Sequence, residues 1–482
     1  MDPHVRVGVL PAAQLRARRR LFAALEEAYP VRFHAREAGA LGELDAIVAF
    51  GVEDTEAPGM PSLILHSEER TVGAPRPLAL ANDPVLARPL RGALLTDAYA
   101  IALQTVGSRE RVLAELARAP AWVLDARGGG AMSQRVACAP AELGPSEALR
   151  ERLRPGRSLA LLALVHFLAC LTAHLRPSPP PLQAAFVIDD PNLRRPRYGY
   201  LNYASLLRHA RLHGYHLAVA MVPLDARLAH PRATRIFHEG GEQLSLCIHG
   251  NDHDGPELGR PRSDAEALPL IAQALRRTAA FERRTGVPVD RVMVPPHERL
   301  SEPVARALRA YSFQAVTTTR PYPWIADTIK RPWLDRPSDA GPLAAWRPID
   351  RVAGGLPILL RADFRLHPRE DLVLRAFLGQ PLILYGHHDL LAEGPDGFAE
   401  AAAQINRLGD VSWSSLAAIA HAHTHMQPHP LDRSPADRPL DIHAYCTGSS
   451  PSALPVRRSR LRPLLHRLAS EGRDRAAAIY AR

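Results

Sequence analysis

Cysteine is scarce in this chain. Cys138, Cys170, Cys247 and Cys446 are spread over 482 residues with no CxxC pair. That excludes a disulfide framework and a cysteine-built zinc site. Residues 1–150 hold no GxGxxG and no Walker lysine, so neither nucleotide fingerprint is present. Gly128-Gly129-Gly130 reads as a plain turn before it reads as a phosphate cradle. The amino-terminal run Met-Asp-Pro-His-Val-Arg-Val-Gly-Val-Leu lacks the charged and apolar regions of a signal peptide. The expected compartment is therefore the cytoplasm. The apolar run 158–175 falls short of the roughly 20 residues of a membrane span and contains His166 and His174. A buried helix packing two domains together is expected there, with no firm membrane association. No internal repeats are visible.

What is present is ordinary for a soluble globular protein: 46% hydrophobic and 23% charged residues. The net charge of +10 comes mostly from arginine spread along the chain. That is composition bias rather than a nucleic-acid surface, and no nucleic-acid partner is expected.

The strand–helix alternation divides the chain. Residues 1–150 carry strands at 5–10, 31–34, 46–50, 62–66 and 121–124. Helical patterns run over 12–28 and 109–118. This predicts a parallel, doubly wound α/β domain of the Rossmann or flavodoxin type. Residues 151–183 are an apolar helix and a proline-rich linker. From 184 to 425, candidate strands lie at 184–188, 216–222, 244–248, 291–294, 313–317, 357–360, 381–385 and 410–413. Seven or eight such units predict a distorted (β/α)7-8 barrel. Residues 321–350 read as an irregular insertion and 426–482 as an irregular Arg/Pro-rich tail.

Ionisable clusters follow four of the barrel strands: Asp189-Asp190-Pro191-Asn192, His249-Gly250-Asn251-Asp252-His253, Pro296-His297-Glu298-Arg299 and His387-His388-Asp389. Ligands of such sheets gather at the strands' carboxyl ends. Two histidines separated by three residues can present both rings to one cation. A carboxylate from a neighbouring strand end completes a three-ligand set with an open position for water. The bland alternative is a pair of solvated loop histidines beside an exposed acidic turn.

The ordered clusters resemble the polysaccharide deacetylase family of metal-dependent carbohydrate de-N-acetylases. Val187-Ile188-Asp189-Asp190-Pro191 is similar to its T-F-D-D-G motif, and His249 to His253 to its H-[ST]-x-x-H motif. Met293 to His297 is similar to R-x-P-Y, with Pro296 in the place of the proline and His297 in that of the tyrosine. Leu384-Tyr385-Gly386-His387 is similar to L-x-x-H, with His388 a close rival.

The resemblance implies Asp189 as catalytic base and Asp190, His249 and His253 as ligands of one divalent ion, most naturally Zn²⁺. It implies His387 or His388 as general acid and an oxyanion-facing N–H near His297. Asn192, Asn251, Pro296, His297 and Arg194 are expected to meet the substrate, a carbohydrate or small amide. The family's glycine is Pro191 here, its serine or threonine is Gly250, and its arginine is missing. Arg299, Arg194 and Arg195 are the candidate substitutes. Two other readings stand beside deacetylation: a degenerate, non-catalytic carbohydrate-binding barrel, and a metal hydrolase of a non-sugar amide. Weaker candidates are a second metal site at His421, His423, His425 and His429, an anion contact at Arg194, Arg195 and Arg197, and sugar stacking on Trp324, Trp333 or Trp346.

Overall fold

The computed structural model describes residues 4–37, 43–51, 59–70, 73–103, 107, 109–125, 132–175, 180–321, 341–352, 355–366 and 369–426. In the final segment it describes 465, 467–469, 471–474 and 476. The chain forms two units. The first is Met1–Pro180 with Ser338–Arg347 and Pro368–Gly379; the second is Pro181–Pro337 with Pro348–His367 and Gln380–Arg482.

The first unit is built on a nine-stranded mixed sheet. Strands Val31–Ala35, Val5–Leu10, Ala46–Phe50, Ser62–Glu68 and Ser133–Ala139 are parallel neighbours in that order. Ala119–Asp125, Glu110–Leu116, Arg76–Leu80 and Leu94–Asp97 continue the sheet antiparallel. The expected doubly wound sheet is thus parallel over one half only. The helix expected at 109–118 is a strand. Its Leu, Ala, Glu and Arg favour helix, but pairing on both edges overrides that local preference. The apolar run forms helix Leu159–Leu171, whose residues Leu159 to Leu168 are buried and pack in the core of this unit. Among the described residues no helix is long and apolar enough to cross a membrane.

The second unit is a barrel. Its strands are β1 Leu182–Asp189, β2 Leu217–Met221, β3 Leu244–His249, β4 Asp290–Val294, β5 Ala315–Thr318, β6 Leu356–Asp363 and β7 Leu382–Gly386. They pair in parallel in this order, and β1 closes the barrel by pairing with both β2 and β7. A short eighth strand, Val411–Trp413, adds to β1 from outside the ring. Small and branched side chains fill the interior: Ala185, Val187, Ala218, Ala220, Val292 and Val294 belong to one buried cluster. Their spacing of two is that of strand side chains sharing a face.

The connecting helices start and stop on local signals. Helix α1 (Tyr203–His213) is capped by the Asn202 side chain and ends at left-handed Gly214. Helix α2 (Asp264–Thr285) opens with a Ser263/Glu266 capping box and ends at left-handed Gly286. Because the ring is parallel, all seven carboxyl ends lie on one rim. Of the expected insertion, 322–340 lies outside the described residues.

Candidate metal centre

Three polar clusters converge on that rim. Asp190, just past β1, has φ +80°. L-residues avoid this region, and its use concentrates at functional sites. His253, His297 and Glu298 are also left-handed, at +53°, +56° and +59°. Asp190 Oδ1 lies 3.1 Å from His253 Nε2 and 3.6 Å from His249 Nε2. His249 Nδ1 donates to the Val294 carbonyl at 2.8 Å, so whenever the ring is neutral its Nε2 carries a lone pair; burial would lower the ring's pKa, but Asp190 and Asp189 bring it above its ordinary value. Asp190 Oδ1 is buried and has no hydrogen-bond donor in good geometry.

Converging acceptors of this kind fit a cation. Among the described residues, Asp190, His249 and His253 form the one group of three whose ligand atoms lie within 4.8 Å of one another. Burial alone would raise the Asp190 pKa; His249, His253 and Arg467 reverse this and hold it well below the ordinary carboxylate range. Burial and the neighbouring His249 hold His253 down at about 4, so its ring is neutral near pH 7.

The His249–His253 loop is held from behind. Glu257 Oε1 accepts from the backbone N–H groups of Asn251, Asp252 and His253 at 2.6, 2.9 and 2.9 Å. Arg277, on α2, donates to Asn251 Oδ1 at 2.7 Å and to Asp252 Oδ1 at 2.6 Å. Gly250 must be glycine. Its φ is +63°, and a Cβ there would stand 2.5 Å from Glu257 Oε1 and 2.6 Å from Pro296 Cγ. The departure from serine or threonine at this position is therefore steric.

Asp189 has a different environment from its neighbour. It is buried and forms a two-pronged pair with Arg361, Nη1 to Oδ1 at 2.9 Å and Nη2 to Oδ2 at 2.7 Å. Arg361 also pairs with Glu298 and lies 3.8 Å over the Tyr385 ring. Burial would raise the Asp189 pKa, but Arg361 and then His249 more than reverse it. The arginine that pairs with Asp189 thus comes from β6. Neither Arg299, Arg194 nor Arg195 supplies it. One signal stood in the sequence: a single arginine inside the apolar strand Leu356–Asp363.

His387 and His388 both line a cavity of about 380 Å³, whose lining includes Asp190, His253, Arg467 and Asp474. His387 is half-exposed, with Nε2 3.7 Å from Asp190 Oδ2. His388 is held in place: it stacks on Tyr200, meets Tyr198 edge-on and lies 3.6 Å from Asp474 Oδ1. A Cβ on Gly199 would overlap its ring.

The expected substrate contacts divide. His297 is exposed beside His253, with ring centroids 5.5 Å apart. Pro296 is buried against Gly250. The structure does not bring Asn251 to the cavity: it is fully buried and taken up by Gln273 and Arg277. Asn192 is also buried and donates to Glu471, while Arg194 pairs with Asp225 and Glu471. Both hold the carboxyl-terminal segment, which is why they are turned from the cavity. That segment brings Arg467 and Asp474, which no local pattern marked.

Of the weaker candidates, Arg195 and Arg197 are exposed, and Trp346 is buried in the first unit's core. His423 is buried, and burial lowers it to about 4. The side chain of His425, together with His429, Trp324, Trp333, Cys446 and Gly128-Gly129-Gly130, lies outside the described residues.

No protein-family model matches the chain, and no curated protein matches it. Among solved structures, one provisionally named a polysaccharide deacetylase, from Mycobacterium smegmatis, is 16% identical at TM-score 0.37, covering 53% of this chain and 96% of its own. A family 4 carbohydrate esterase from Streptomyces lividans is 13% identical at TM-score 0.27, covering 48% and 88%. A family 4 pseudoenzyme from Bacillus anthracis is 11% identical at TM-score 0.28, covering 48% and 64%. At TM-scores below 0.5 these likenesses carry no argument about what the barrel does, which rests on its own residues.

Proposed function

We propose that the barrel is a metal-dependent hydrolase that removes the acetyl group from an N-acetylated sugar or a related amide. The observation that carries this reading is the meeting of three lone pairs, from Asp190, His249 and His253, beside a second carboxylate kept ionised by a buried arginine. The donor set, two imidazoles and one carboxylate, suits Zn²⁺ and leaves a coordination position open. A divalent ion held there supplies Lewis-acid polarisation of the acyl carbonyl and makes water acidic enough to attack near neutral pH.

The chain's own residues do the rest. Asp189 takes a proton from the attacking water. Each of its oxygens keeps a lone pair beyond the one that Arg361 occupies. Arg361 fixes the orientation of that carboxylate and its charge. His387, which faces Asp190 across the cavity, gives a proton to the departing nitrogen. The backbone N–H at His297 serves the carbonyl oxygen as charge develops on it.

The test is metal content and acetate release. Protein equilibrated with Zn²⁺ and freed of excess should hold one ion, and the His249→Ala and His253→Ala variants should hold far less with the fold intact. Acetate should appear from a panel of N-acetylated sugars. Ring opening of cyclic amides instead would move the substrate to a non-sugar amide, and a wild-type protein that takes up no divalent ion would end the reading.

A further inference from the structure

The carboxyl-terminal segment reaches the rim at three points. Tyr198 donates to Asp474 at 3.1 Å, Glu471 accepts from Arg194 at 2.8 Å, and Arg467 enters beside the ligand carboxylate. Arg467 is 9% exposed. Its Nε donates to Asp225 Oδ2 at 2.6 Å, and Asp225 is itself fully buried. Its Nη2 donates to the backbone carbonyl of Asp190 at 2.9 Å, across 277 residues of sequence. Its Nη1 stands 3.6 Å from Asp190 Oδ1.

These contacts fall on the residue with the most positive φ among the site's left-handed non-glycine residues. At φ +80° the Asp190 peptide is in a conformation that an aspartate leaves readily unless its surroundings fix it. A guanidinium held by a buried carboxylate on one side and bonded to that peptide's carbonyl on the other fixes it. Among the described residues of the segment Arg467 is the buried cation, and besides pairing with Asp225 it reaches the backbone carbonyl of Asp190.

We infer that Arg467 is a positioning residue of the metal centre: it clamps the Asp190 backbone and carboxylate in the ligand geometry, so that the carboxyl-terminal segment completes the site. The inference rests on the proposed metal site and adds a residue to it. Partners of metal ligands typically change affinity by about 10–100-fold when removed, and that range is expected here.

The experiment uses the full chain and Zn²⁺ competed against a chromophoric chelator. Arg467→Met should weaken Zn²⁺ binding by about 10-fold or more. Arg467→Lys, which restores one charged donor, should recover part of the loss. Glu471→Gln weakens another buried contact of the same segment, that with Arg194, without touching Asp190 and should leave Zn²⁺ affinity close to that of wild type. Circular dichroism and thermal unfolding of each variant separate loss of the clamp from loss of the fold. Wild-type affinity in Arg467→Met overturns the inference. So does an equal loss in Glu471→Gln, because segment docking alone would then be the cause. A wild-type protein that binds no Zn²⁺ overturns the metal site itself, a different result from either.

Discussion

Replacing Arg361 with methionine should be among the most damaging single changes in the barrel. The guanidinium is 1% exposed and faces two carboxylates, Asp189 and Glu298, and the Tyr385 ring. Methionine keeps most of the volume, so the loss is electrostatic. Removing one partner of a buried ion pair costs about 3–5 kcal/mol, because the other charge is left without compensation. The lost contact with the tyrosine face adds on the order of 1 kcal/mol. At 1.4 kcal/mol per tenfold, the pair alone is worth roughly two to three and a half powers of ten in the folding equilibrium. Urea unfolding at neutral pH, with amide exchange followed in β1 and β6, measures it locally.

The sign of the pH dependence makes the test specific. In wild type, burial would raise Asp189 but Arg361 brings it below its ordinary value. Its contribution to stability is therefore present above the unfolded carboxyl pKa of about 4 and lost as pH falls below that. Without Arg361, burial acts with far less opposition and the native pKa rises. The variant then regains relative stability as its carboxyl takes up a proton, so the gap between the proteins narrows from about pH 7.5 to about pH 4.5. Adding Asp189→Asn to Arg361→Met should recover much of the loss at neutral pH. A cost below about 1 kcal/mol, or the same cost at both pH values, would refute the claim that a buried charge pair holds this carboxylate.

Three further outcomes follow from the geometry. Asp189→Asn should keep the metal and lose turnover by about 10²–10⁴-fold, whereas Asp190→Asn should lose the metal; equal metal loss in both would reverse the assigned roles. His387→Ala should lower kcat strongly with metal retained, and His388→Ala, at a ring wedged between Tyr198, Tyr200 and Gly199, should loosen the rim with a smaller loss of kcat; steady-state kinetics on both variants checks the order. His166 and His216 are buried, each brought to about 4, mainly by burial. Both accept or share hydrogen bonds as neutral rings, His166 from Ala87 N–H and His216 with Ser245 and Glu242. The unfolded chain takes up protons at about pH 6.5 and these sites do not until about 4, so stability should fall across that window; His216→Gln should flatten part of the fall in a pH series of urea midpoints.

Much of the barrel was legible because its strands announce themselves. Ala184 to Ile188 and Leu244 to Ile248 are short, apolar and followed at once by carboxylates and imidazoles, so strand and site were read together. Arg361 was not, since a charge inside an apolar strand looks like a fault in the strand until its partners are known. Arg467 was further out of reach. Its role depends on a contact 277 residues distant, and the local pattern around it is that of an arginine-rich tail. In the first unit, Glu110–Leu116 was misread because its composition favours helix, and only its two neighbouring strands decide otherwise. Asn251 was misjudged for the opposite reason: polar residues in a ligand loop look like substrate contacts, yet this one spends its hydrogen bonds holding the loop in shape.

The first unit is not continuous in sequence, and that sets a timetable. Helix Arg369–Phe377 belongs to it: Leu374 lies in its core, Asp371 pairs with Arg150, and Glu370 caps Thr96. On the ribosome, residues 1–180 emerge first but wait for a piece that appears about 200 residues later, on the order of tens of seconds at ordinary elongation rates. By then six barrel strands have been made. The unit that emerges before the barrel is therefore completed late, and a gene fragment ending at the linker would encode a sheet with an open place in its core. Nascent chains arrested at residue 180 should stay sensitive to protease, while in those arrested beyond residue 379 with the exit tunnel cleared the first unit should be protected.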